Sequence, residues 1–180
     1  MASVSTYLNF NGNTEEAFNF YKSVFGTEFT GPIFRMSEAP PQEGMPEMSE
    51  SDKNLVMHVS LPILDGHLLM GTDATESMGF TINQGNNAYI SLHPDSREEA
   101  DTLFAALSEG GTVEMPMDDQ FWGDYFGSLV DKFGTMWMVN FSGEAESPSC
   151  CQWARARFER APFACSRTKG VVLVMRTDGF

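Results

Sequence analysis

Apolar residues recur along this chain with two periods, and the periods alternate in the same order twice. Ala17, Phe18, Tyr21, Val24 and Phe25 lie three and four apart, on one face of a helix. Asn13-Thr-Glu-Glu16 precedes them as a capping-box start, and Gly26 supplies the stop. Val4 to Phe10, ahead of that helix, reads as a strand. In the second half Asn87 to His93 alternates as a strand, and Ser96-Arg-Glu-Glu99 is another capping box. Ala100, Leu103, Phe104 and Leu107 then form a buried stripe that ends at Gly110-Gly111.

Each helix is followed by segments of period two. After the first, Glu28 to Met36 reads as a strand and Ala39 to Asp52, rich in Pro, Glu and Met, as a long loop. Leu55, Met57, Val59, Leu61 and Ile63 alternate with Val56, His58, Ser60 and Pro62. Asp65-Gly66 is a tight-turn signal, so His67 to Thr72 should pair back on that strand. After the second helix, Thr112 to Met117, Gly127 to Asp131 and Thr135 to Phe141 read as strands. The order is β-α-β-β-β written twice, which predicts an α+β fold.

Two motifs identify the pattern. Asn11-Gly-Asn-Thr-Glu-Glu-Ala-Phe-Asn-Phe-Tyr-Lys-Ser-Val-Phe-Gly26 resembles the opening helix of the vicinal-oxygen-chelate (glyoxalase/bleomycin resistance/dioxygenase) superfamily. Phe121-Trp-Gly-Asp-Tyr-Phe-Gly127, then Asp131-Lys-Phe-Gly134 and Trp137, resembles the closing signature of its PhnB-like branch. The resemblance implies two βαβββ modules, about 1–83 and 84–143, whose mixed sheets curve into a cup. It also implies a homodimer. Some families with this signature carry a demethylubiquinone methyltransferase label. No glycine-rich cofactor loop follows a strand here, so that activity is not expected.

Charge sets a boundary near residue 144. The chain carries a net charge of −14, with 11 basic residues against 25 acidic ones. Five of the basic residues (Lys22, Arg35, Lys53, Arg97 and Lys132) precede residue 144 and six follow it. Glu144-Ala-Glu-Ser-Pro-Ser149 reads as a linker into a basic tail, 144–180, outside the expected core. That tail is either a basic appendage or an adventitious extension, and its composition favours the second. Val171 to Met175 within it could form a short strand. Cys150, Cys151 and Cys165, the only cysteines, all lie there, so no disulfide framework is expected in the first part. An acidic chain is a poor partner for nucleic acid or an anionic membrane. No apolar run is long enough to cross a bilayer, and the N-terminus lacks the pattern of a signal peptide. A cytoplasmic location is the expectation.

Metal-dependent members of the superfamily hold a divalent ion with His, Glu or Gln side chains from cup-facing strands. On the motif landmarks those positions fall at Thr6 (Ser5 or Tyr7 on a slipped register), Met70, Tyr89 and Met138. Thioethers and neutral hydroxyls do not make a site for zinc, nickel or iron. No metal and no other cofactor is therefore expected. Among the histidines, His58 and His67 read first as structural. His93 is the candidate of interest, because Tyr89, Ser91 and His93 share a strand face and a histidine there could shuttle protons. His93 and Tyr89 are the candidate catalytic pair. Tyr7, Asn9, Met70, Ser91, Phe121, Trp122 and Met138 are the candidate ligand-binding residues. The aromatic segment Met115 to Phe126 serves equally well as a loop or dimer plug and as an apolar wall rimmed by Asp118, Asp119 and Asp124. The expected function is binding or sequestering an apolar or aromatic compound. The alternative is a lyase, isomerase or dioxygenase with a relocated metal or metal-free acid-base catalysis.

Overall fold

The computed structural model describes residues 2–40 and 49–143, together with 167–168 and 171–172. The chain divides into two units, Met1–Gly143 and Glu144–Phe180. In the second, β9 (Arg167–Thr168) pairs antiparallel with β10 (Val171–Val172). The rest of the expected Val171–Met175 strand, and the three cysteines, lie outside the described residues.

The first unit holds the two βαβββ modules. Module one runs β1 (Thr6–Phe10), α1 (Thr14–Phe25), β2 (Phe34–Arg35), a helical turn α2 (Glu50–Lys53), β3 (Val56–Pro62) and β4 (Leu68–Asp73). Module two runs β5 (Ile90–Leu92), α3 (Arg97–Ser108), β6 (Thr112–Asp119), β7 (Tyr125–Val130) and β8 (Met136–Phe141). Their sheets repeat one topology, β1-β4-β3-β2 and β5-β8-β7-β6. In each, the first strand is parallel to the fourth and the other pairs are antiparallel. This is the α+β, glyoxalase/bleomycin-resistance-like architecture.

Several local expectations need correction. The strand expected over Glu28–Met36 shrinks to Phe34–Arg35, with a register shift against β3. Gly31-Pro32 interrupts it, since proline donates no ladder hydrogen bond. The loop expected over Ala39–Asp52 ends in α2, whose cap Ser49 Oγ accepts from Asp52 N at 3.1 Å. Asn13 makes no side-chain cap on α1. Asp73 replaces it from β4: its Oδ1 accepts from Thr14 N at 3.0 Å and from the Thr14 hydroxyl, and its Oδ2 from Val56 N at 2.7 Å. Ser96 does cap α3, accepting from Glu99 N at 3.1 Å. On β3 the buried set begins at Val56 and continues through Val59, Leu61 and Ile63, so the strict alternation breaks at its first residue. Asp65 and Gly66 both take positive φ, which is the geometry of a tight hairpin turn.

The core lies between the helices and the sheets. Ala17, Phe18 and Tyr21 of α1, and Ala100 and Leu107 of α3, are buried with Val59, Leu61, Leu69, Leu129, Trp137 and Val139. Gly71 admits Phe18: a Cβ there would stand 2.4 Å from Phe18 Cε2. A buried carboxylate links the two modules. Asp131 Oδ2 accepts from the Tyr21 hydroxyl at 2.7 Å and from Trp137 Nε1 at 2.8 Å. Its Oδ1 accepts from Phe133 N and Thr135 N at 2.8 and 3.0 Å. Burial, and then the charge of Asp131, push the Tyr21 phenol well above the ordinary range.

Gly71→Ala is expected to cost about 1–3 kcal/mol by overpacking against Phe18, measured by urea unfolding. Tyr21 should contribute stability that is complete below about pH 10, the ordinary phenol value, and lost as pH rises above it, because the unfolded chain then ionises while the folded one resists. Tyr21→Phe should flatten that alkaline loss and cost about 1–2 kcal/mol at neutral pH, where Asp131 loses one donor.

Candidate functional site

A groove of about 1120 Å³ runs along β1 and β5. It is lined by all of Thr6–Phe10, by Ile63–Asp65 and His67, by Ile82–Gly85, by Ala88–His93 with Asp95, and by Gly134–Met136. Topology explains the location. β1 and β5 are the end strands of their sheets, so each keeps one free edge among the described residues. The segment joining the modules crosses beside those edges and is fastened by Gln84, whose Nε2 donates to Phe133 O at 3.0 Å.

Side-chain faces follow from the helix contacts. Gly71 and Gly127 lie toward α1 and α3, so their neighbours Met70 and Ser128 point to the opposite faces of their sheets. The register then places Tyr7 beside Met70, and Met138 between Ser91 and Ser128. Ser91 Oγ lies 3.1 Å from His93 Nε2, a hydrogen bond between two exposed side chains two residues apart. With Nε2–H donating to Ser91 Oγ, a neutral His93 keeps the Nδ1 lone pair for a ligand. The Tyr89 hydroxyl donates to Glu114 Oε2 at 3.0 Å, and that hydrogen bond is the main reason its phenol stands above the ordinary range. Thr6 Oγ1 lies 3.0 Å from His67 Nε2. Tyr7 stacks on His58, with centroids 6.0 Å apart.

Of the residues singled out from sequence, the groove collects Tyr7, Asn9, Tyr89, Ser91 and His93. Four others stand outside its lining. Met70 and Met138 lie on β4 and β8, one strand in from the free edges. Phe121 and Trp122 lie in the β6–β7 turn, at the opposite end of their sheet from β5. They stack edge to face at 4.9 Å, Trp122 continues onto Phe126 at 6.0 Å, and Phe121 is 96 % exposed. Within this unit the aromatic turn therefore lies outside the lining of the groove. Asp119 pairs with Arg97, and Asp118 Oδ1 accepts from Asp119 N at 2.8 Å. Sequence reasoning missed the Ile82–Gly85 strip, His67 and the Gly134–Met136 turn as groove walls. A connector between two sheets must pass their facing end strands, and that was the available signal for the first.

At the positions to which the resemblance assigns the superfamily's metal ligands, the chain carries Thr6, Met70, Tyr89 and Met138, two thioethers and two neutral hydroxyls. These do not fit a divalent ion of the zinc, nickel or iron kind. Among the described residues, no three His, Cys, Asp or Glu side chains gather as a metal-holding group.

Residues 2–140 match the family model described as 3-demethylubiquinone-9 3-methyltransferase. The chain belongs to this family. It thus lies in the PhnB-like branch of the glyoxalase/bleomycin resistance/dioxygenase superfamily. Protein PA1353 from Pseudomonas aeruginosa is 34% identical, covers 79% of this chain and 98% of its own, and superposes with a TM-score of 0.67. The PhnB protein from Bacillus cereus is 28% identical over 78% of this chain and 99% of its own, with a TM-score of 0.60. Protein YjdN from Escherichia coli K12 is 29% identical over 76% of this chain and 93% of its own length.

Because Phe121 is almost wholly exposed, Phe121→Ala should change unfolding free energy by less than about 0.5 kcal/mol. Chemical denaturation checks this; a larger loss would mean the turn is packed in solution.

Proposed function

We propose that this PhnB-like protein binds a small molecule with apolar or aromatic parts in the groove beside β1 and β5, without a metal at the superfamily's usual position. One observation carries the reading: Tyr7, Asn9, Tyr89, Ser91 and His93, from two modules, line a single cavity large enough for a drug-sized ligand. Leu8, Ile63, Ile82 and Ile90 add apolar surface to the same walls. The hydroxyl, amide and imidazole groups would fix orientation. The fold comes from the family and the activity does not, because function lives in the site. The family's methyltransferase label is therefore not carried over.

A second reading has the Ser91–His93 hydrogen bond in its favour. With Ser91 oriented toward it, His93 would act as a general base on a bound substrate, and Tyr89, whose hydroxyl gives its proton to Glu114, would offer an acceptor. The chain would then be a metal-free lyase or isomerase. We further propose a homodimer, supported by the exposed Phe34, Val113, Met115 and Trp122, which leave apolar surface on the first unit.

Thermal-shift screening of a small-molecule library tests the first reading. A ligand at about a hundred times its dissociation constant should stabilise the protein by about 2.7 kcal/mol. Ser91→Trp, which fills the groove, should abolish the shift while leaving far-ultraviolet circular dichroism unchanged. A shift that survives Ser91→Trp moves the site elsewhere. For the second reading, His93→Ala should remove turnover and spare binding. Light scattering should return twice the 20.0 kDa chain mass if the dimer forms.

A further inference from the structure

The cavity meets its two bordering strands along their edges rather than over one face. Successive side chains of a strand point to opposite sides of a sheet. Yet every residue from Thr6 to Phe10, and every residue from Ala88 to His93, lines the groove. The backbone edge is what both sets share. Among the described residues, β1 pairs only with β4 and β5 only with β8.

The direction of the backbone groups can be read from one hydrogen bond. Phe10 O accepts from Ala74 N, just past β4, at 2.8 Å. The polar groups of Phe10 therefore face β4, and by alternation so do those of Leu8 and Thr6. Those of Tyr7 and Asn9 face the groove. Module two repeats the topology, and Ser91 faces Met138 as Tyr7 faces Met70. Its backbone therefore turns outward in the same way. Free strand edges are templates for a further strand, with backbone bonds giving affinity and alternate side chains giving specificity. The walls are alternate as well, apolar on the helix side (Leu8, Ile90) and polar on the open side (Asn9, Ser91). Asp65 and Asp95 line the groove and no Lys or Arg does.

We propose that the groove takes a short, extended, cationic peptide, which adds as a strand to the free edges of β1 and β5. Backbone groups of Tyr7, Asn9 and Ser91 bond to its amides. Its apolar side chains turn toward the helix side, and its basic ones toward the open face. This rests on the ligand-binding reading above and names the ligand class for that site.

The test titrates acetyl-Val-Lys-Val-Lys-Val-Lys-amide into isotope-labelled full-length protein, beside two N-methylated versions, one methylated at the valine amides and one at the lysine amides. Binding should slow amide exchange at Tyr7, Asn9 and Ser91 by at least about tenfold and leave Leu8 unchanged, and at least one N-methylated peptide should bind at least about tenfold more weakly, since two or three net hydrogen bonds are lost. Equal binding of all three peptides, or binding without protection at those amides, overturns strand addition. Anilinonaphthalenesulfonate separates the two ideas. If it shifts groove resonances while the peptide fails to bind at millimolar concentration, strand addition is wrong and the small-molecule reading stands. If neither binds, both fail.

Discussion

One buried carboxylate holds the two modules of this chain together. Asp131 sits in the β7–β8 turn of the second module and receives the Tyr21 hydroxyl from the helix of the first. Four donors converge on its two oxygens. A buried charge is tolerated only when it is so satisfied, and removing it would strand the donors instead. The same contact sets the local geometry: two of the donors are backbone amides of the turn itself, and a third belongs to Trp137, which is fully buried. Asp73 does a comparable task inside the first module, tying the start of α1 to β3 and β4. Each module thus has a carboxylate at a joint where a helix cap or turn would otherwise leave amides unpaired.

The groove is a consequence of that joining. A βαβββ module places its first strand at the end of its sheet, because the helix carries the chain across to the second strand at the far end and the third and fourth strands return until the fourth pairs beside the first. Two such modules, linked through Tyr21 and Asp131, leave two end strands free on one cavity. Tyr7 and Asn9 arrive from one module, Tyr89, Ser91 and His93 from the other, although some eighty residues separate them in sequence. The connector then closes one side of the cavity, with Gln84 fastened on the turn that Asp131 organises.

The scaffold and the site answer to separate physical constraints. The helix-facing positions keep the shapes the fold requires, including a glycine at 71 where Phe18 leaves no room for a side chain. The positions to which the family resemblance assigns metal ligands carry thioether and hydroxyl groups. A change there leaves packing intact, which is why membership of a family fixes the architecture of this chain and not its chemistry.

The sequence alone determined the duplicated modules. Both helices, the order of the strands along the chain and the Asp65-Gly66 turn rest on local periodicity and turn chemistry, which a linear string displays. It also pointed to Tyr89, Ser91 and His93 as one face, since strand alternation is local. It overextended β2 past Gly31-Pro32, and it credited Asn13 with a cap that Asp73 provides from 59 residues away. Only the tertiary structure decided which residues share the groove. The motif landmarks put Met70 and Met138, and aromatic character Phe121 and Trp122, with Tyr7 and Asn9, but they sit one strand inward or at the far edge. Strand order and the contact between modules set those distances, and both arise from interactions between residues far apart in the chain.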